Sequence, residues 1–398
     1  MEKVVFTATQ ILVTVRQRSR RLRCPCGRTS PATYDRSHRS WRHLDLGRYK
    51  VVVRAQVRRL DCRGCGRVRT EQVPWARPGA RHTRDFEDTA AWLVRRMSKS
   101  GVATLLGTTW NTVDSLVRRL VSTHLDPAAA SHRLGRLARI GVDEIAYRKG
   151  RKFLNIVTDH DTGHVVWIRE GRTQTALIAF LDTLGPAGRE RIRAISMDMT
   201  RIYREAARIH LPQAAICYDP FHLIKWAGEA LDQVHLATPR DGAPIQVDGL
   251  SPAKTWPKVR TTLRAAAENL DPVGKAMINQ LRINQKQLYQ AWQLKENLRR
   301  LYQGLSDKAA KRHLDKWCRA AALSNVNAFM TLARRIRHHY DGIIAAITHR
   351  LSNSRIEGIN AGIRLIQRRA NGYASLDNLI EMIHMCHGGV PTQLPTHP

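Results

Sequence analysis

The spacing of apolar positions changes character along the chain, and each change predicts a different kind of structure. The opening "MEKVVFTATQILVTVRQRSRR" and residues 50–62, "KVVVRAQVRRLDC", alternate polar and apolar side chains at the period of a half-buried strand. "WARPGARHT" then reads as a linker, broken by Pro78 and Gly79. Residues 85–125 turn to helical spacing, and "SKSGVATLLGTTWNTVDSLVRRL" has the form of two helices about a turn. Gly107 supplies the turn, Thr108 caps the second helix, and Val113, Leu116, Val117 and Leu120 form its apolar face. The opposite face carries Asn111, Ser115 and Arg118, side chains of the kind that read base edges in a major groove. A plain helical hairpin has the same pattern.

From Leu137 the pattern shortens to strands: "LARIGVDEIAY", "KFLNIVTDH" and "HVVWIRE", then a helix "TQTALIAFLDTL", a strand "IRAISMDM", a helix from Arg201 and a strand "AAICYD". Three consecutive strands followed by alternating helix and strand predict a mixed sheet of the ribonuclease H type. A doubly wound nucleotide-binding sheet would need a glycine-rich first turn, which the sequence lacks. Residues 237–349 are mostly helical, with apolar Leu288, Ala291, Trp292, Leu298 and Leu301 in "QLYQAWQLKENLRRLY", and separate the sheet from a last basic helix, "LSNSRIEGINAGIRLIQRR". Trp92, Trp110, Trp226 and Trp292 lie in helical settings that predict core packing over base stacking.

The expected fold is therefore multidomain α+β: an N-terminal module (1–84), a helix-turn-helix (85–130), a ribonuclease H-like α/β core (131–236), a helical insertion (237–349), and a closing helix of the core with a tail (350–398). Charge adds a partner. The chain of 398 residues carries 66 lysines and arginines against 33 acids, a formal +33. So large an excess repels itself and is explained by a polyanion, and the dominance of arginine favours forked contacts to phosphate. Residues 1–84 hold 21 of these cations and five acids, which makes them an anion-binding module. Charge alone would also fit a histone-like packing protein. No apolar run approaches the roughly 20 residues of a membrane span, and the start lacks the continuous apolar block of a signal peptide, so a cytoplasmic, nucleoid-associated protein is expected.

Chemistry enters with the acids. Asp143 follows the strand "RIGV" and Asp198 the strand "IRAISM", so in the expected sheet both reach one edge. Glu357 is the one acid of the last basic helix and is placed to join them. Each alone is equally a turn residue, a cap or an ion-pair partner. Together they form a hard oxygen set suited to two Mg²⁺ or Mn²⁺ ions about 3.5 to 4 Å apart, which promote in-line phosphodiester displacement. Asp219 and His222 in "YDPFH" fall near the same edge, although Asp219 also reads as a helix N-cap. Asn353 and Asn360 share the helix face of Glu357 and are suited to orient a carboxylate or bond a phosphate, while Arg355, Arg364, Arg368 and Arg369 supply cations to DNA.

Seven cysteines do not make a disulfide scaffold at this length. Cys217, Cys318 and Cys386 read as structural thiols. Cys24, Cys26, Cys62 and Cys65, in "CPCG" and "CRGCG", predict a zinc ribbon with Zn²⁺ on four thiolates. The first pair is one residue short of the usual spacing, so His38 or His43 is an alternative ligand.

Taken together, "GVDE" (141–144), "GR" (171–172), "MDM" (197–199), "YDPFH" (218–222) and "SNSRIEGIN" (352–360) followed by "RRANGYAS", after a zinc-ribbon start and a helix-turn-helix, resemble the ISL3 family of DDE transposases of bacterial insertion sequences. The likeness covers nearly the whole chain. It implies Asp143, Asp198 and Glu357 as the catalytic acids, a divalent metal, binding and cleavage at terminal inverted repeats, transfer of a 3′-hydroxyl strand to target DNA, and a dimer or larger assembly on double-stranded DNA. The first cysteine pair departs from the family's two-residue spacing. The competing readings are a transposase-derived, sequence-specific DNA-binding regulator without cleavage activity, and a structure-selective nuclease on the same fold.

Overall fold

The computed structural model describes residues 1–398 except 19–20, 25, 31–32, 127–132, 151, 240–251 and 396–398. The boundary expected at residues 130 and 131 and part of the expected helical insertion lie outside the described residues. The chain forms two compact units, one of residues 1–129 and 363–398, the other of residues 130–362.

The first unit begins with strands β1 (Lys3–Phe6), β2 (Gln10–Thr14), β3 (Leu22–Arg23), β4 (Thr29–Ser30), β5 (Asp35–Arg42), β6 (Lys50–Cys62) and β7 (Arg67–Thr70). The alternating N-terminal stretch is two strands, because Thr7 closes a turn: its N–H and hydroxyl donate to the Gln10 carbonyl and its hydroxyl accepts from the Gln10 N–H. β6 organises a five-stranded sheet ordered β1-β2-β6-β5, with β7 also on β6. It runs parallel to β2 and antiparallel to β5 and β7. Its alternation puts Ala55 and Val57 into a small core with Trp41, Val73 and Ala76. Gln56 and Arg58 face the other way.

Three helices follow: α1 (Arg84–Val94), α2 (Lys99–Leu105) and α3 (Trp110–Leu125). Thr83, Ser98 and Thr109 cap them, each side-chain oxygen accepting a backbone N–H of the first turn. The α3 cap is thus Thr109, one residue beyond the expected Thr108, because Gly107 at φ 55° and Thr108 are both used in the turn. Val113, Leu116 and Val117 are buried as expected.

The second unit holds β8 (Arg139–Arg148), β9 (Lys152–Asp159), β10 (Val165–Glu170), α4 (Gln174–Arg191), β11 (Ala194–Met197), α5 (Arg201–His210), β12 (Ala215–Tyr218) and α6 (Pro220–Ala237). Its sheet is ordered β10-β9-β8-β11-β12, with β10, β9 and β8 antiparallel and β8, β11 and β12 parallel. Helices α7 (Pro252–Arg264), α8 (Pro272–Asn284), α9 (Lys286–Arg299), α10 (Asp307–Ala322), α11 (Asn327–His338) and α12 (Tyr340–Thr348) follow. Their apolar faces share one core with the sheet, joining Leu177, Ile195 and Leu223 to Leu288, Leu298, Trp317 and Phe329. α12 lies close on β12, where a Cβ on Gly342 would sit 2.4 Å from the Tyr218 ring.

α13 (Ser354–Arg369) leaves the second unit, and its last turns belong to the first, as does α14 (Leu376–His387). Trp226 is buried, and Trp92 and Trp292 partly so. Trp110 contradicts the core-packing expectation: at the first position of α3 it is 42% exposed, with the Lys99 ammonium 5.5 Å from its ring centre. No helix among the described residues is long and apolar enough to cross a membrane.

Candidate active site

The parallel registers bring three aspartates to one edge. Gly141 pairs with Ser196, and Ser196 with Cys217. Two residues further along each strand stand Asp143, Asp198 and Asp219, neighbours at the carboxyl side of the parallel strands. Asp198 accepts from the Thr200 N–H at 3.0 Å. Asp143 is held by α13, where Asn360 donates from Nδ2 to its Oδ2 at 2.8 Å. Burial raises the Asp143 carboxyl above its ordinary value, and the Asp198 charge pushes it the same way.

Asp219 occupies the N-cap position of α6 yet does not cap it. Its buried carboxylate accepts from the Asn353 N–H at 3.1 Å and bonds His222 Nδ1 at 3.1 Å. The bond to Asp219 raises the His222 pKa, and the charges of Asp219, Asp198 and Asp143 add to the effect. Asn353 is itself buried and accepts from the Ser196 hydroxyl at 2.6 Å, and that hydroxyl lies 2.6 Å from His160 Nε2. Since Ser196 spends its proton on Asn353, His160 carries its own on Nε2.

Both asparagines expected beside Glu357 therefore turn inward, on a stripe with Ile356, Ile359 and Ile363. Glu357 flanks that stripe and is exposed, one turn of helix from the residue that holds Asp143. Among the described residues, the three acids are not drawn as tightly as the cysteines, which alone bring three or more ligand atoms within 4.8 Å of one another. Arg355 is exposed and donates to the His160 carbonyl at 2.6 Å. Arg364 and Arg368 are exposed, and Arg369 is half-buried and donates to the Arg95 carbonyl at 2.8 Å.

In the first unit Cys24 Sγ lies 3.9 Å from Cys65 Sγ, and Cys26 Sγ 3.6 Å from Cys62 Sγ. The short Cys24–Cys26 spacing still lets all four thiols converge, so neither His38 nor His43 is needed. The donor set fits one tetrahedral soft-ligand ion. The N–H groups of Cys65 and then Gly64 pull the Cys62 thiol down to about 6, whereas burial pushes Cys24 up to about 12. Cys217 and Cys318 are buried apart from this group, and Cys386 is half-buried.

On α3 the side chains of Asn111, Ser115 and Arg118 are exposed. Arg118 is tethered, pairing with Asp114 at 3.1 Å and with Glu381 of α14 at 3.2 Å. Lys99 and Asp114 form a buried ion pair that fixes α2 on α3.

A transposase model of the ISL3 family matches residues 140–383, and a model of the helix-turn-helix domain of transposase family ISL3 matches residues 71–121. This chain belongs to the ISL3 family of transposases. The transposase for insertion sequence element IS1557 of Mycobacterium tuberculosis is 33% identical over 98% of this chain and 92% of its own length. The transposase for element IS1001 of Bordetella parapertussis is 30% identical over 87% of this chain and 84% of its own. It is thus a transposase of insertion sequences with a helix-turn-helix DNA-binding domain.

Several supporting residues of this transposase are not evident in the linear sequence. Gly141 of "GVDE" is where α13 approaches β8 most closely, since a Cβ there would meet Ile356 Cδ1 at 2.5 Å, His160 Nε2 at 2.8 Å and Ser196 Oγ at 3.0 Å. Arg172 of "GR" forms an ion pair with Glu144, whose half-buried carboxyl is raised by burial. Ser196 has one sequence signal, a hydroxyl in the otherwise apolar strand "AISM". His160 has none.

Proposed function

We propose that this transposase binds the terminal inverted repeats of its element, cleaves DNA at the ends and transfers the 3′-hydroxyl strand to target DNA, with Asp143, Asp198 and Glu357 as its catalytic acids. The observation that carries this reading is the shared edge of Asp143 and Asp198, to which Asn360 ties the helix bearing Glu357. The strand order, three antiparallel strands continued by two parallel ones, supports a ribonuclease H-like core. Two divalent cations, Mg²⁺ or Mn²⁺, held by these three acids would supply a lowered pKa to the attacking hydroxyl and charge relief to the leaving oxygen.

The chain's own residues do the remaining work. Asn360 fixes the Oδ2 of Asp143 and so orients the carboxylate. His222, whose pKa the bond to Asp219 raises, presents its Nε2 side to a phosphate oxygen. Asn353 ties the start of α13 to Ser196 and Asp219, and Arg355, Arg364, Arg368 and Arg369 line that helix with charge for the DNA backbone. Asn111 and Ser115 read the terminal repeat, with Arg118 oriented by Asp114 and Glu381. Cys24, Cys26, Cys62 and Cys65 would hold a Zn²⁺ ion that pins the N-terminal module. Synapsis of two DNA ends calls for a homodimer or larger in the nucleoid-associated, cytoplasmic complex.

Strand cleavage on a labelled duplex carrying the element's own end tests the reading. Wild type should nick at the repeat boundary only with Mg²⁺ or Mn²⁺, and Asp198→Asn and Glu357→Gln should abolish nicking while binding persists. Nicking by either variant would refute the assignment of the acids. Specific binding with no nicking by wild type, even with paired ends, would favour the regulator.

A further inference from the structure

We propose that the polar face of the N-terminal sheet carries a second DNA site, a cleft that grips the phosphodiester backbone apart from the helix-turn-helix. The proposal rests on the reading of this chain as a DNA-binding transposase. The cleft has a volume of about 610 Å³, and its lining includes Arg16, Arg18, Arg36 and Arg58, the amides of Gln17 and Gln56, Val15 and one acid, Glu2. Arg16 and Arg18 stand on the segment leaving β2, Arg36 on β5, and Gln56 and Arg58 on β6.

Three observations point to a phosphate chain as the occupant. First, Arg36 and Arg58 are directly opposed across the β5–β6 ladder. Like charges so placed repel each other, and their convergence with two further arginines is relieved by an anion between them. Second, Arg58 is preorganised. Buried Glu71 accepts the Arg58 N–H at 2.7 Å and its guanidinium at 2.8 Å, which fixes the strand and one wall of the cleft; with Glu2 3.8 Å from Arg16, two of the four cations have an acidic partner. Arg18 and Arg36 remain exposed. Third, the cleft wall is mostly amides and guanidinium groups, with Val15 its one apolar side chain, so it offers chiefly hydrogen bonds to oxygen. It is open along the sheet face and too large for one free anion, which fits a run of DNA backbone.

Such contacts position DNA without reading its sequence. The site therefore predicts a specific pattern in the salt dependence of binding. With the whole chain, affinity for a labelled duplex carrying the element's end and for a scrambled duplex is measured by anisotropy across a KCl series. Arg18→Gln/Arg36→Gln should lower the slope of log K against log salt by about 1.8, near 0.9 for each lost phosphate contact. It should weaken both duplexes alike and leave their affinity ratio unchanged. Arg18→Lys/Arg36→Lys should retain the slope. As a second measurement on unmodified protein, bound DNA should protect Arg18 and Arg36 from phenylglyoxal.

An unchanged slope in the glutamine variant, or modification undiminished by DNA, would overturn the proposal and leave the cleft to another anion such as an acidic protein segment. A wild type with no preference for the element's end would instead count against the functional reading, whatever the slope shows.

Discussion

Asn360 Nδ2 donates to Asp143 Oδ2 at 2.8 Å, across 217 residues of sequence. This bond ties the closing helix to the central strand, so one amide orients Asp143 and helps to place Glu357. Asn360→Ala should lower nicking about 10- to 100-fold, the usual cost of removing a group that orients a ligand carboxylate. Asn360→Asp should be worse, because it sets a second negative charge against Asp143. End binding measured alongside should hold within a fewfold, and unaltered nicking by both variants would show that Asp143 needs no such partner.

Gly141 makes that docking possible in a second way. Its missing side chain leaves room for Ile356, His160 and Ser196 in one place. Gly141→Ala should therefore push α13 outward or strain the β8–β11 pair, at a cost of about 1–3 kcal/mol. Nicking should fall more than DNA binding does. Adding Ile356→Val, which removes the Cδ1 of the nearest contact, should recover part of the loss. If the single variant cleaves as wild type, the close approach of α13 to β8 does not matter to the reaction.

How far the site was legible follows from these two residues. Strand alternation located β6 and β8 to within two residues, and the three acids stood out because Asp143 follows the apolar run "RIGV" within β8, Asp198 follows an apolar strand and Glu357 interrupts a basic helix. The bonds that hold them did not. Asn353 and Asn360 read as sharing the face of Glu357 and suited to orient a carboxylate, which Asn360 does for Asp143, whereas burial turns both inward and leaves Glu357 at the rim. Asp219 read as an edge residue and, because its local sequence fits one, also as a cap; its carboxylate is used by the Asn353 backbone 134 residues away. The Arg118–Glu381 pair has no local signal either. Periodicity reports which face is apolar. It says nothing of which polar group meets which across the fold.

The four-cysteine group yields a prediction about stoichiometry. The chain purified without chelator should carry about one zinc ion, as four thiols around one tetrahedral site require. Cys62→Ser/Cys65→Ser should drop the metal content nearly to zero and make the N-terminal sheet sensitive to protease, since Leu22, Leu60 and the cysteines form their own small core. DNA affinity should fall with it, and cleaved fragments should begin within residues 1–84. Metal content unchanged in the double variant would place the ion elsewhere.

His160 gives a pH dependence with a definite sign. Burial above all, then the charges of Arg139 and Arg355, hold its pKa down to about 4. An unfolded histidine titrates near 6.5, so between about 4 and 6.5 the unfolded chain binds a proton that the folded chain refuses. Stability from this residue is complete above that window and is lost as pH falls through it, by about 3 kcal/mol in all. The loss bears on the site because His160 donates through Nε2 to Ser196, which holds Asn353 at the start of α13. Histidine NMR of the labelled protein, with His160→Gln to assign the resonance, should show one ring that stays neutral down to about pH 4. The variant should lose less stability between pH 7 and pH 5 than wild type does, by about 2 kcal/mol. A His160 midpoint near 6.5 would mean that the ring is open to water and that the Ser196 to Asn353 link is not sealed from solvent.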